Sequence, residues 1–357
     1  MTQSATEAQP KAKKNRLSSG FFRFVLTRFL LIIPTVFILV TIVFFVMRAT
    51  GDPISAAMGG RLTPEELQRR IHAAGYDRPL VVQYLDYLGG LLRGDLGTTL
   101  TDNQPVTTIL TRYGAATFEL AFLSLIVALI VGIGLGRLAA RRRDHAADAG
   151  IRVFAILCYA TPVFFLGLML KLVFAVWLNV LPPSGRSSFA SDMQFQRLVS
   201  PTGFYIIDAF QLGDMSVLVD VLRHAVLPAL ALGLLTAGVF IRLVRTNVIS
   251  TYTSGYVEAA RSRGVSEGRL LSKHAWRPAM IPIITVMGMQ IALMLAGAVL
   301  TETTFEWKGL GFMLSQYLKQ RDFVAVQGIV ILIAIIVAVV NFIVDVISAL
   351  IDPRVRY

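Results

Sequence analysis

The chain has 357 residues, 55% of them hydrophobic and 16% charged, with a formal net charge of +12. Its mean hydropathy of +0.65 lies well above that of a soluble domain of this size, which points to a lipid-facing protein rather than a soluble enzyme. The one cysteine, Cys158, excludes an intrachain disulfide, and its place in an apolar run makes it a small packing residue.

Crossing the hydrocarbon layer takes about 20 mostly apolar residues in a helix, because each backbone amide at that depth must find its partner within the segment. Residues 1–20 are polar and basic and form a tail. The first apolar run, residues 29–47 within a segment 21–47, lacks a small-residue cleavage site after it and reads as a retained helix. Residues 48–114 come next, a connection long enough to be a small folded lobe. Within it, Thr63-Pro64-Glu65-Glu66 predicts a capped helix with proline at its first position, and Gly75 is placed to end that helix. The remaining core then runs from 115 to 357, with a second apolar run at 115–136 and a third at 153–177. Gly132 and Gly136 in the second run give the small-xxx-small spacing that lets another helix approach closely. A connection at about 178–223, marked by Pro182-Pro183, predicts irregular structure, and apolar runs at 224–241, 280–300 and 327–350 complete six. The expected fold is therefore all-α and polytopic, with six transmembrane helices.

The charges are distributed unevenly among the connections. The N-terminal tail, the connections after the second and fourth runs and the C-terminal tail hold 20 Lys and Arg against 6 Asp and Glu, whereas the three intervening connections hold 13 against 14. Positive charge retained on one side predicts that both termini are cytoplasmic and that the lobe is external. The clusters Lys11 to Arg16 and Arg141 to Arg143 are then explained by anionic lipid headgroups, without a nucleic acid.

The fourth connection, at about 242–282, reads as helix, turn and helix: Tyr256-Val257-Glu258-Ala259-Ala260-Arg261 leads to Gly264, and Ser266 can cap the second helix. This segment resembles the EAA loop of the ABC importer permeases, the part that docks in a groove of the ATPase subunit. The resemblance extends over nearly the whole chain and favours the oligopeptide, dipeptide and nickel branch. Gly51-Asp52-Pro53, Asp77-Arg78-Pro79-Leu80 and Arg93-Gly94-Asp95-Leu96-Gly97 are similar to that branch's first external loop. Glu302-Thr303 with Phe305, Trp307 and Gly309-Leu310-Gly311, then Arg321-Asp322-Phe323 and Asp352-Pro353-Arg354, are similar to its last third. Lys308 and Val324 depart from the pattern where proline is usual, Pro278 departs where asparagine is usual, and the stretch around 186–220 is longer than expected.

The resemblance implies a type I ABC importer permease in the plasma membrane, paired with a second permease subunit, two ABC ATPase domains that bind ATP and magnesium, and an external solute-binding protein. It assigns ATPase coupling to Tyr256, Glu258, Ala259, Ala260, Arg261 and Gly264. Peptides are the expected cargo, with nickel, glutathione or another small solute as the alternative within the class, and a channel or sensor without an ATPase as the alternative outside it. No lysine follows a glycine, so a phosphate-binding loop is not expected; the four histidines lack metal-ligand spacing. The chain is expected to be neither an enzyme nor a metal protein. Ionisable residues in apolar segments are costly, which makes Glu302 and Asp345, with Asn341 one helical turn from Asp345, candidates for the translocation path. Glu119 and Lys171 also fall within runs.

Overall fold

The computed structural model describes residues 17–351, so residues 1–16 of the basic tail and the Asp352-Pro353-Arg354 ending lie outside the described residues, while the last four residues assigned to the tail begin the first helix. The described chain is helical almost throughout, and no named strand occurs among its residues. Helix α1 (Leu17–Ala49) is succeeded by three short helices, α2 (Pro53–Met58), α3 (Pro64–Ala73) and α4 (Leu80–Leu92). The cap predicted at Thr63 is made: its hydroxyl accepts from the Glu66 amide, and Gly75 adopts φ +72° just past α3. Helix α4 lies back against the end of α1, with Tyr84 hydrogen-bonded to Thr41 (2.6 Å) and Tyr87 stacked on Phe44. The lobe stops at residue 105, because α5 (Val106–Arg141) begins nine residues before the expected apolar run.

Helix α6 (Ala146–Ala160) and α7 (Val163–Leu170), which continues as a π-helical stretch Lys171–Trp177, are bent by 108°. Proline explains the break: Thr161 before Pro162 is forced to extended geometry (ψ 126°) and cannot continue the helix. The segment expected to be irregular contains α8 (Phe189–Phe195), α9 (Tyr205–Leu212) and the first turns of α10 (Met215–Tyr252). Beyond the elbow formed by α11 (Gly255–Ser262) and α12 (Glu267–Arg269), a π-helical stretch Leu270–Ala275 leads into α13 (Trp276–Phe305), then α14 (Leu310–Lys319) and α15 (Phe323–Ile351). Four helices are long and apolar enough to cross a membrane, and the two bent pairs raise the number to six if each is one span.

The contacts fix the direction of every long segment. Gly233 meets Val127, Gly132 meets Phe240 and Gly136 meets Val244, so contacts advance together and α5 runs parallel to α10. Helix α6 is antiparallel to α10, with Asp148 on Arg245 and Tyr159 beside Gly238. Arg223 near the start of α10 donates to the Val180 carbonyl (2.8 Å). Arg245 and Arg223 are separated by about 33 Å of helix, so the bent α6–α7 segment travels the length of the bundle and does not turn back. Gly328 packs on Val106, and Phe29 and Arg28 pack on Phe342 and Asp345, which makes α15 parallel to α5 and antiparallel to α1. The start of α1, the end of α15, the end of α10 and the elbow therefore share one end, the elbow end; the lobe, α8, α9 and α14 lie at the other, the lobe end.

The parallel α5–α10 contact is close because glycine makes it so. A Cβ at Gly132 would sit 2.5 Å from the Phe240 Cβ, and one at Gly136 2.7 Å from the Val244 Cβ, whereas Gly134 faces open space. Gly132→Ala and Gly136→Ala are expected to destabilise the protein by about 1–3 kcal/mol through overpacking, and Gly134→Ala to leave it unchanged. Thermal unfolding in detergent, measured for the three variants side by side, checks this ranking.

Candidate functional site

At the elbow end, α11 is closed by a Schellman motif. The Val265 amide donates to the Ala260 carbonyl (3.3 Å), the Gly264 amide donates to that of Arg261 (2.9 Å), and Gly264 takes φ +80°. Val265 then packs with Val257, Ala260 and Leu270 beneath the helix. The two alanines consequently differ: Ala260 is buried, while Ala259 is exposed with Tyr256 and Glu258 on the outer face. Arg261 clamps the elbow, binding Glu258 and donating to Glu267 (2.7 Å), and Tyr252 also donates to Glu267. The Glu267 carboxylate, and after it the Tyr252 hydroxyl, pushes the Arg261 pKa above its already high value, so the clamp is charged at every physiological pH. Ser266 occupies the cap position of α12 but makes no side-chain cap bond. At the same end, the fully buried Asp148 accepts two hydrogen bonds from Arg245 (2.6 and 2.7 Å), which anchors the start of α6 to α10.

The three candidates for the translocation path do not come together. Glu302 is at the lobe end, whereas Asn341 and Asp345 are near the elbow end, where Asn341 is exposed and Asp345 is paired with Arg28 (3.3 Å). Glu302 is fully buried and accepts from the Thr117 hydroxyl (2.7 Å) and the Phe312 amide (2.9 Å). Thr117 in turn accepts from the Leu310 amide, and the Trp307 indole donates to the Ala116 carbonyl (2.9 Å). Two glycines permit this knot: a Cβ at Gly309 would collide with the Glu302 carboxylate, and one at Gly311 would lie 2.5 Å from the Val299 Cα. Asp322 does similar work nearby, accepting from the Leu100 and Thr101 amides while its other oxygen takes the Ala325 amide at the start of α15. Lys171 donates to the Thr304 carbonyl (2.9 Å).

A further group was not singled out from the sequence. Glu119 on α5 forms a buried ion pair with Arg186 (2.5 Å) and accepts from the Ile206 amide. Arg186 lies 3.7 Å above the Tyr205 ring and also donates to the Gly203 carbonyl. Burial pushes the Tyr205 hydroxyl up to about 12, so it stays neutral. This pair ties the long 178–214 connection to α5, and its Arg186 lines a cleft of about 580 Å³. The signal in the sequence was Glu119 itself, a carboxylate in an apolar run that must find a cation. Among the described residues no group of His, Cys, Asp and Glu is placed to hold a metal ion.

Residues 132–357 match the model of the family described as binding-protein-dependent transport system inner membrane component, and residues 21–120 match that family's N-terminal model. The chain belongs to this family of transport-system membrane components. It is 37% identical to the di/tripeptide transport system permease protein of Pseudomonas aeruginosa over 94% of this chain and 98% of that protein. It is likewise 37% identical to the dipeptide transport system permease protein of Escherichia coli K12, over 94% and 99%. Among solved structures, an inward-facing form of the MetNI methionine ABC transporter shares the fold, with a TM-score of 0.50 and 14% identity over 69% of this chain and 97% of that one. Members of the family are inner-membrane components of transport systems, and the apolar helices described above fit that setting.

The knot around Glu302 gives a stability test. Glu302→Ala strands the part-buried Phe312 amide and the buried Thr117 hydroxyl, and is expected to cost about 1–3 kcal/mol per unsatisfied group. Gly309→Ala drives a methyl into the same carboxylate and is expected to be comparably destabilising. Gly268→Ala, which meets nothing within 4 Å, serves as the neutral comparison in the same unfolding measurement.

Proposed function

We propose that this chain is the permease subunit of an ABC importer for short peptides, and that α11 is its contact with the ATPase. The observation that carries the reading is near full-length similarity to permeases named for dipeptide and di/tripeptide transport; the same names favour peptides over nickel or glutathione. In this reading all six long segments are spans, both termini and the elbow are cytoplasmic, and the lobe faces outward. The excess of Lys and Arg in the connections at the elbow end supports that orientation.

ATP and magnesium are bound by partner ATPase subunits, a second permease completes the path, and an external solute-binding protein delivers cargo. The geometry supports a mechanical role for α11. Its inner face is packed on Leu270, its outer face presents Tyr256, Glu258 and Ala259, and Arg261 fixes its angle through Glu267. A rigid element of this kind lets ATPase closure bias the permease between inward-open and outward-open states, by making different contacts in each. Glu302 and Asp345 enter this reading as residues that tie helices together, with Asn341 and Asp345 still available to face the path from α15.

Gly264→Val places a β-branched residue at φ +80°, a conformation costing about 1–2 kcal/mol per residue, and so distorts the end of α11. The complex reconstituted with this variant is expected to hydrolyse ATP while peptide uptake falls at least tenfold. Retention of wild-type uptake per ATP hydrolysed would remove α11 from the coupling role. Thiol labelling of Ala259→Cys from the cytoplasmic side only is the companion result expected; labelling from outside would reverse the topology.

A further inference from the structure

The cleft at the lobe end has charged groups of two kinds. Arg186 is matched by Glu119, Asp192 accepts from the Ser187 hydroxyl (2.5 Å), and Asp208 accepts from Thr202 and the Gly203 amide. Arg112, Lys308 and Glu306 also line the cleft, but they are exposed and make no ion pair among the described residues. Beneath them, Arg186 is 8% exposed and its Nε–H is buried without an acceptor.

The cleft is of small-molecule size; its exposed charges are two cations, Arg112 and Lys308, and one anion, Glu306, while the Arg186 charge beneath them is balanced by Glu119 and the Asp192 and Asp208 carboxylates are held by neutral donors. That set complements a molecule with one carboxylate and one ammonium group, as a free peptide has at neutral pH. The carboxylate pairs with Arg112 and Lys308 toward the Arg186 floor, and the ammonium pairs with Glu306. Glu306 is held out by its left-handed backbone (φ 53°), a result of the closure of α13 onto Trp307. Tyr113 and Tyr205 supply apolar walls between the charges. We propose that this cleft is a peptide-binding site on the permease itself, holding both termini of one short peptide; the inference rests on the peptide-import reading above. Because both termini must reach one cleft, the site discriminates against long and end-blocked peptides.

The test uses the complex purified from its own membrane through a tag on this chain, in lipid nanodiscs and without binding protein. Calorimetry with dialanine, N-acetyl-dialanine and dialanine amide is expected to show dialanine binding that weakens about tenfold when either end is blocked. The double variant Arg112→Ala/Lys308→Ala is expected to weaken dialanine about tenfold, and Glu306→Gln to abolish the difference between dialanine and its N-acetyl form. All three side chains are exposed, so correct folding is expected and is checked by unchanged thermal midpoints. Absent binding, or binding indifferent to end-blocking and to these variants, overturns the site. So does an effect of the variants confined to binding-protein docking. Dialanine uptake by proteoliposomes containing the full system separates the two levels: uptake without cleft binding sinks the site and leaves the import reading standing, whereas failure to take up any peptide sinks the import reading.

Discussion

The parallel packing of α5 on α10 constrains nearly everything else in this molecule. Two helices that run side by side in the same direction cannot be joined by a short turn, so the chain between them must travel the full length of the bundle once before the second can begin. Here α6 and α7 make that return, broken at Pro162, and the 178–214 connection closes the remaining distance at the lobe end. In a lipid setting no hydrophobic driving force holds helices together, and close approach through small residues is the main attraction available. Gly132, Gly136 and Gly233 supply it from both helices, against Phe240, Val244 and Val127. The register is thereby fixed, and with it the placement of the elbow at one end and the cleft at the other.

Buried charge is used sparingly and at the ends of this contact. Asp148 with Arg245 anchors α6 at the elbow end, and Glu119 with Arg186 anchors the long connection at the lobe end. Each pair is satisfied beyond a single bond, Asp148 by a bidentate guanidinium and Glu119 by an additional backbone amide. This matters because removing one partner of a buried pair leaves an uncompensated charge, even where the intact pair adds little net stability. Glu302 has no cation on it and is instead satisfied by a hydroxyl and an amide. The glycines flanking Leu310 are required so that backbone can come within reach of its carboxylate.

The helical, polytopic character and the elbow were legible because their signals are local. Runs of about 20 apolar residues mark helices, and Gly264 after Glu258-Ala259-Ala260 marks a left-handed closure that the Schellman motif supplies. Helix ends were less legible. Helix α10 extends well beyond its apolar run at both ends, since polar residues outside the hydrocarbon layer continue a helix without a hydropathy signal. The two alanines of the elbow looked equivalent in sequence, yet Ala260 is packed under α11 and Ala259 is exposed. That difference depends on where Leu270 and Val265 return, and it is a tertiary fact. The pairing of Glu119 with Arg186 was hidden for the same reason, because 67 residues separate the partners. Glu302 and Asp345 looked alike as ionisable residues in apolar runs, but they lie at opposite ends of the fold.

Helix α10 gives the proposed coupling its physical basis, since it is one continuous element of 38 residues. Its end enters the elbow through Tyr252, which binds Glu267, and its start is tied through Arg223 to Val180, in the connection that goes on to wall the cleft. A force on α11 cannot be absorbed locally, because the Arg261 clamp and the Val257–Leu270 packing join α11 to both neighbouring segments. Displacement is carried instead into α10 and α13, which meet α5 in the apolar cluster around Leu120, Leu232 and Met294. A closely packed interior of this sort favours two discrete arrangements over continuous deformation. In the proposed reading, movement at the elbow end and a change in the shape of the lobe-end cleft belong to the same two-state equilibrium, which an ATPase at one end and a peptide at the other would bias reciprocally.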